Sequence, residues 1–238
     1  MKIRAFPDKE SLGQAMAERA AEVLRQALAA RGEATFIAAT GASQFEFLAA
    51  LVRQPGIAWE RTCMFHLDEY VGMKDTHPAS FRGYLKERLL RHIRPKQVRL
   101  IVGDAPDLAA EVAALNRELA GRRVDVAFVG IGENGHLAFN DPPADFTNES
   151  PYLVVNLDEA CRRQQLGEGW FKSLAEVPTQ AISMSVRQIM KAGAIICTVP
   201  DRRKAQAVAD CFTGEVSPLH PASILQQHCD CLVGLDQA

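Results

Sequence analysis

One histidine of this chain sits in a loop that is otherwise made for close contact. In Gly130-Ile131-Gly132-Glu133-Asn134-Gly135-His136-Leu137-Ala138-Phe139-Asn140-Asp141-Pro142-Pro143, three glycines, two amides and two acids surround His136. An imidazole titrates near neutrality and suits proton transfer. A lone histidine would more simply hydrogen-bond within its own loop. Here Glu133, Asn134, Asn140 and Asp141 lie close enough in sequence to orient the ring and raise its basicity, which favours chemistry. Asp68-Glu69-Tyr70 is the second candidate, directly after an apolar run. Adjacent acids point in different directions, so at most one faces a given ligand. Alone they read as a solvated turn or a cap; beside His136 at one sheet edge they supply a carboxylate base.

Two stretches suit an anion. Thr40-Gly41-Ala42-Ser43 offers free backbone N–H groups and a hydroxyl at a helix start, although an ordinary capped turn would look the same. In Asp201-Arg202-Arg203-Lys204, with Asp201 as cap, three cations fill the first helical turn. Exposed cations at this positive end of a helix dipole cost about 0.3–1 kcal/mol each. An anionic ligand held by Lys204 would account for them, as would a solvated basic patch offset by Asp201. Gly130-x-Gly132-x-x-Gly135 matches a dinucleotide fingerprint. That fingerprint needs a helix opening at its last glycine, and Pro142-Pro143 and the polar residues 136–151 do not provide one. Nucleotide binding is set aside, and the glycines are read as letting backbone approach a small ligand, Gly132 among them.

The elements that must carry these residues alternate. Strands are expected at Lys2–Phe6, Ala34–Ala39, Thr62–Leu67, Val98–Val102, Val124–Val129, Tyr152–Leu157, Ala194–Val199 and Cys231–Leu235. Helical spacing lies between most of them, including Phe81–Ile93 and Ile182–Met190; Ser43-x-x-Glu46 has the spacing of a capping box. Strands separated by helices of about a dozen residues predict βαβ units: one α/β domain over residues 1–238, three-layer α/β/α with a mainly parallel central sheet. In such sheets ligands bind beyond the carboxyl ends of the strands, where the loops after Ala39, Leu67 and Val129 fall.

Composition narrows the function. The chain has 238 residues, 47% hydrophobic and 24% charged, with a net charge of −2. That is ordinary for a soluble globular protein and gives no reason to expect nucleic acid or an anionic membrane as partner. No secretory leader and no bilayer-length apolar run is seen, so a cytoplasmic location is expected. Six scattered cysteines, without a Cys-x-x-Cys pair, read as reduced thiols rather than disulfides or metal ligands.

Phe65-His66-Leu67-Asp68-Glu69-Tyr70-Val71-Gly72, His77-Pro78-Ala79-Ser80-Phe81 and Gly130–Asn140 together resemble the glucosamine-6-phosphate deaminase (isomerase) family, in the superfamily that includes 6-phosphogluconolactonases. Thr40-Gly41, Arg203-Lys204-Ala205 and Pro221-Ala222-Ser223-Ile224-Leu225-Gln226 are weaker matches, and the set spans nearly the whole chain in order. Tyr70 and Ala138-Phe139-Asn140 favour the deaminase side over the lactonases. The resemblance implies a Rossmann-like fold and a cofactor-free, metal-free conversion of glucosamine 6-phosphate and water to fructose 6-phosphate and ammonia. It implies ring opening by His136, proton transfer between C2 and C1 by Asp68, and support of the histidine by Asn134 and Asp141. It places the phosphate on Gly41–Ser43 and Lys204, with Thr40, Glu69 and Gly132 nearby. It allows anything from a monomer to a homo-oligomer of six chains. Four positions depart from the pattern. Asp141 stands where Glu is usual, and Ala42 where a second glycine is usual. The family's arginine in its Asn-Ser-Arg-Phe-Phe type of segment has no clear match in Arg162–Phe171. Arg187 stands in a segment that is usually small and Gly-rich, either as a relocated anion ligand or as a surface arginine. The alternatives are a 6-phosphogluconolactonase or another phosphosugar isomerase, and a sugar-phosphate sensor without turnover.

Overall fold

The computed structural model describes residues 1–237. In chain order it runs β1 (Lys2–Phe6), α1 (Lys9–Arg31), β2 (Ala34–Ala38), α2 (Phe45–Leu51), β3 (Thr62–His66), β4 (Asp68–Tyr70) and α3 (Phe81–Leu85). It continues with β5 (Gln97–Arg99), α4 (Leu108–Leu119), β6 (Val126–Val129), β7 (Tyr152–Asn156) and α5 (Glu159–Gly167). It ends with β8 (Gln180–Met184), α6 (Val186–Met190), β9 (Ala194–Val199), α7 (Ala205–Thr213) and β10 (Cys231–Asp236). Seven strands form one parallel sheet in the order β1-β10-β9-β6-β2-β3-β5. From β2 the chain builds toward β3 and β5; from β6 it builds the other way, through β9 to β10. The reversal lies between β2 and β6, and the crevice at their carboxyl ends is where such a sheet takes a ligand.

The apolar runs form strands because both faces of the sheet are covered. Phe36, Met64, Val126, Phe128, Ala194 and Ile196 pack into one layer with α1 and α2. Their neighbours Ile37, Phe65, Ala127, Val129, Ile195 and Cys197 point into the other layer. Helix α1 is framed as its sequence dictates. The Asp8 side chain accepts from the Ser11 N–H, and Gly32, at φ 80°, ends the helix in a left-handed turn.

Several elements differ from the sequence expectation. Ile182–Met190 is not one helix: β8 occupies Gln180–Met184, and a new helix starts after Ser185, whose hydroxyl accepts from the Gln188 N–H. Residues Ala181–Met184 are all buried, so apolar positions on both strand faces imitated helical spacing. The strand expected at Val98–Val102 stops at Arg99. Beyond it the chain leaves the sheet to bring Gly103 against β4, where a Cβ would lie 2.1 Å from the Tyr70 carbonyl. The helix from Phe81 turns into a π-helical stretch over Lys86–Leu90. The Ser43–Glu46 capping box does not form: a 3₁₀ turn, Ala42–Gln44, precedes α2, and the Ser43 hydroxyl accepts from the Gln44 amide.

The consequential difference is a second sheet. β4, β8 and β7 pair antiparallel in that order, so Asp68 lies on a strand and not in a polar turn. Leu67 joins the two sheets: its N–H donates to Ala38 of the large sheet, and its carbonyl accepts from Met184 of the small one.

Candidate active site

Three loops and one strand meet at the crevice. The loop after β2 turns at Gly41, where φ is 92°, a conformation open to glycine at little cost. The loop after β6 starts at Gly130, where a Cβ would lie 2.9 Å from the Ser43 hydroxyl, so the two loops approach more closely than a side chain permits. The loop after β9 turns at Asp201, at φ 87° and ψ 129°, a strained backbone for a residue with a Cβ. Asp201 is held there on both sides. Its N–H donates to the Asp236 carboxylate at 2.9 Å, and its own carboxylate caps the Arg203 N–H at 3.1 Å. That turn delivers Lys204 into the cleft.

Asp68, His136, Lys204 and the Thr40–Ser43 loop line one cleft. Burial, and then the adjacent Glu69 carboxylate, push the Asp68 carboxyl up to about 8. Burial pulls the Lys204 ammonium below its ordinary value, opposed by Glu133 and Glu168 at longer range. A buried cation that forms no ion pair among the described residues, beside free loop N–H groups, suits an anion from solution.

His136 is built from behind. Its backbone N–H donates to the Asn134 side chain at 3.1 Å and its carbonyl accepts from the Gly132 N–H at 2.9 Å. Nδ1 lies 3.3 Å from Asp141 Oδ1, within ion-pair reach but off the line of a formed hydrogen bond. Asp141 is therefore long enough to serve the ring. Its Oδ1 also accepts from the Asn134 amide at 3.2 Å, and its Oδ2 accepts from the Asp158 N–H, at the start of α5, at 3.1 Å. Burial pushes this carboxyl up, but the contacts from His136, Asp158 and Asn134 outweigh it and hold Asp141 below the ordinary range. Asn140 acts on the loop and not on the ring. Its amide donates to the Leu137 and Met184 carbonyls, tying the loop to β8. Gly132 carries the ring, since a Cβ there would lie 2.2 Å from two atoms of the imidazole. Gly132→Ala is accordingly expected to fold but to lose about a hundredfold in kcat by displacing His136. Steady-state kinetics with a circular dichroism control measures this; an unchanged kcat counts against the ring's assigned position.

Two expected residues are elsewhere. Glu69 is fully buried under the cleft, accepting from Tyr70, Phe81 and Arg82 N–H groups and the Ser80 hydroxyl. Arg187 pairs with Glu149 on the surface and does not line the cleft. Arg162 is spent on the Leu174 and Val177 carbonyls, and Arg163 pairs with Glu159. The cleft also takes in Glu133, expected only as a support for the ring, and Lys9, Glu168 and Arg203, to which sequence reasoning gave no site role. Arg203 belonged to the basic run already noted; Glu168 is set apart only by glycines on both sides.

Known proteins resemble this chain in sequence and in fold. The family described as glucosamine-6-phosphate isomerases/6-phosphogluconolactonase matches residues 7–233. A glucosamine-6-phosphate deaminase of Clostridium acetobutylicum is 31% identical over 229 residues, covering 94% of this chain and 93% of its own. One of Streptococcus sanguinis is 36% identical over 218 residues, covering 92% and 90%. The solved structure of a monomeric glucosamine-6-phosphate deaminase superposes with a TM-score of 0.89 at 29% identity, covering 100% of this chain and 98% of that one. A 6-phosphogluconolactonase structure from Thermotoga maritima, at 15% identity and TM-score 0.80 and covering 99% of each chain, shares the fold. With the match running from just after β1 into β10, this chain belongs to the glucosamine-6-phosphate isomerase/6-phosphogluconolactonase family.

Proposed function

We propose that the protein converts glucosamine 6-phosphate and water to fructose 6-phosphate and ammonia, as a glucosamine-6-phosphate deaminase. The observation that carries this reading is one cleft holding a carboxyl pushed up to about 8, a supported imidazole and a buried ammonium with no ion pair among the described residues. Relatives of that name at 31–36% identity support it.

In this reading Lys204 and the Gly41–Ser43 loop hold the phosphate, far from the reacting carbons, and their binding energy fixes the sugar's position. His136, oriented by Asp141, moves a proton between the anomeric hydroxyl and the ring oxygen, which opens the ring. Asp68 takes the proton from C2, giving an enolamine, and returns it to C1. Water then adds to the resulting C2 imine, and ammonia leaves. A carboxyl titrating near 8 suits both halves of that transfer, because it neither holds nor releases the proton too firmly.

The test is an ammonia assay with glucosamine 6-phosphate. Hydrolysis of 6-phosphogluconolactone without ammonia release sinks the reading in favour of a lactonase, and binding without turnover favours a sensor. Lys204→Ala is expected to raise KM by about tenfold or more with a smaller change in kcat, whereas Arg187→Ala, on the surface pair with Glu149, leaves KM unchanged. The reverse pattern would return Lys204 to a structural role.

A further inference from the structure

We propose that His136, Asp141 and Cys161 form a binding site for a thiophilic divalent cation of the zinc type, and that its occupancy switches the histidine off. A ring nitrogen of His136, a carboxylate oxygen of Asp141 and the Cys161 sulfur all lie within 4.8 Å of one another. They come from two separate segments, so no cysteine–histidine spacing in the sequence announces them.

The donor set is independent of the cluster's proximity. His136 is more than nine-tenths buried, and its buried Nδ1 faces Asp141 without an aligned hydrogen bond. Cys161 is fully buried in the first turn of α5, fixed there by its N–H donating to Asp158 Oδ1. One imidazole, one carboxylate and one thiolate are ligands that Zn²⁺ accepts, at about 2.0–2.3 Å each. Such bonds place tetrahedral ligands about 3.3–3.8 Å apart, so closing on a metal asks for about an ångström of side-chain rotation. Asp141 keeps its anchor while doing so, because Oδ2 retains the Asp158 N–H and only Oδ1 leaves Asn134.

Without metal the thiol is closed off from solvent beside Asp141. On binding, the metal takes the thiolate and the neutral imidazole, and the Cys161 proton passes to solvent. The Nδ1 lone pair is then in a metal bond and Asp141 no longer orients the ring, so ring opening stops. Three protein ligands leave a fourth position for water, the arrangement of an open site rather than a closed structural one.

The test uses the full chain titrated with Zn²⁺ by calorimetry and with Co²⁺ by absorption. Expected are one equivalent bound, a thiolate-to-cobalt charge-transfer band in the near ultraviolet, and loss of turnover that a chelator restores. Cys161→Ser is expected to weaken Zn²⁺ binding by about tenfold or more and to remove the band; if it does not fold, Asp141→Asn carries the same binding expectation. Cys229→Ser, which changes the exposed cysteine, is expected to bind as the wild type does. No stoichiometric binding, an unweakened Cys161→Ser, or loss of binding in Cys229→Ser overturns the site. Metal-free turnover is measured separately, so a failure of the deaminase reading shows there and leaves the metal titration to decide on its own.

Discussion

Asp68→Asn is expected to lower turnover by about three orders of magnitude, the usual scale for losing a positioned general base, and at the same time to raise the melting temperature. The two effects have one cause. The Asp68 carboxyl titrates near 3.8 in an unfolded chain but is pushed up to about 8 in the fold, by burial first and by Glu69 second. Between those values the unfolded chain has released the proton that the folded protein still holds. Folding stability contributed by this group therefore falls as pH rises through that window. An asparagine cannot ionise, so the variant escapes the loss. The gap in melting temperature between variant and wild type should be wider at pH 8 than at pH 5, and scanning calorimetry at both measures it. The wild-type kcat/KM should climb with pH toward about 8 as Asp68 becomes the free base. Exchange of the C2 proton with solvent should vanish in the variant while the phosphosugar still binds. A variant that melts lower by the same margin at both pH values would falsify the assignment of a buried, destabilising carboxyl at this position.

Glu69→Ala is the largest stability loss we expect, about 3–5 kcal/mol. Its neighbour Asp68 faces the cleft, whereas Glu69 faces the interior. There its oxygens accept from three backbone N–H groups and the Ser80 hydroxyl, and the Arg82 guanidinium stands 3.7 Å away. Arg82 is itself buried, bonded to the Met73 carbonyl and Asp104. Truncation leaves the three N–H groups and the Ser80 hydroxyl without their acceptor and removes one of the two carboxylates beside the buried Arg82, which costs more than the original pairing contributes. Urea denaturation should show the midpoint fall, and the folded fraction should keep the wild-type KM because Glu69 does not touch the cleft. Glu69→Gln, which keeps the shape, should lose about half as much. A raised KM with unchanged stability would instead put Glu69 among the ligands, where its sequence neighbourhood suggested it belonged.

How far the sequence carried can be seen residue by residue. The alternation of apolar runs and helical spacing yielded the parallel sheet, because strands buried on both faces leave a plain signal. The loop chemistry around His136, and the basic turn at Lys204, were legible because polar residues and glycines concentrate there against an apolar background. The direction of Glu69 was not, since adjacent strand residues diverge and only the packing of α3 decides which one is interior. Nor was the site of Arg187, whose partner Glu149 is 38 residues away. β8 was hidden because only Ser185 separates it from α6, so the apolar positions of strand and helix run together and imitate one helical stretch. The reach of Asp141 to His136 depends on how the loop closes, which one missing methylene does not reveal. Cys161 joins that group only through the docking of α5.

In the proposed reaction the two sheets divide the labour: the large one presents the loops assigned to the anion, and the small one presents Asp68. Leu67, with one hydrogen bond into each, sets the spacing between them, and the loop bearing His136 is pinned to the small sheet through the Ser183 hydroxyl and the Met184 carbonyl. Leu67 lines the cleft, whereas Ser183 and Met184 stand behind it. A lineage of such chains therefore has two separate dials: substitutions in the three loops retune which anion is held, while substitutions at the seam between the sheets shift the acid relative to the sugar and retune speed alone. Divergence at the seam would escape any comparison restricted to ligand-touching residues, though it would alter turnover as surely as a change in the cleft.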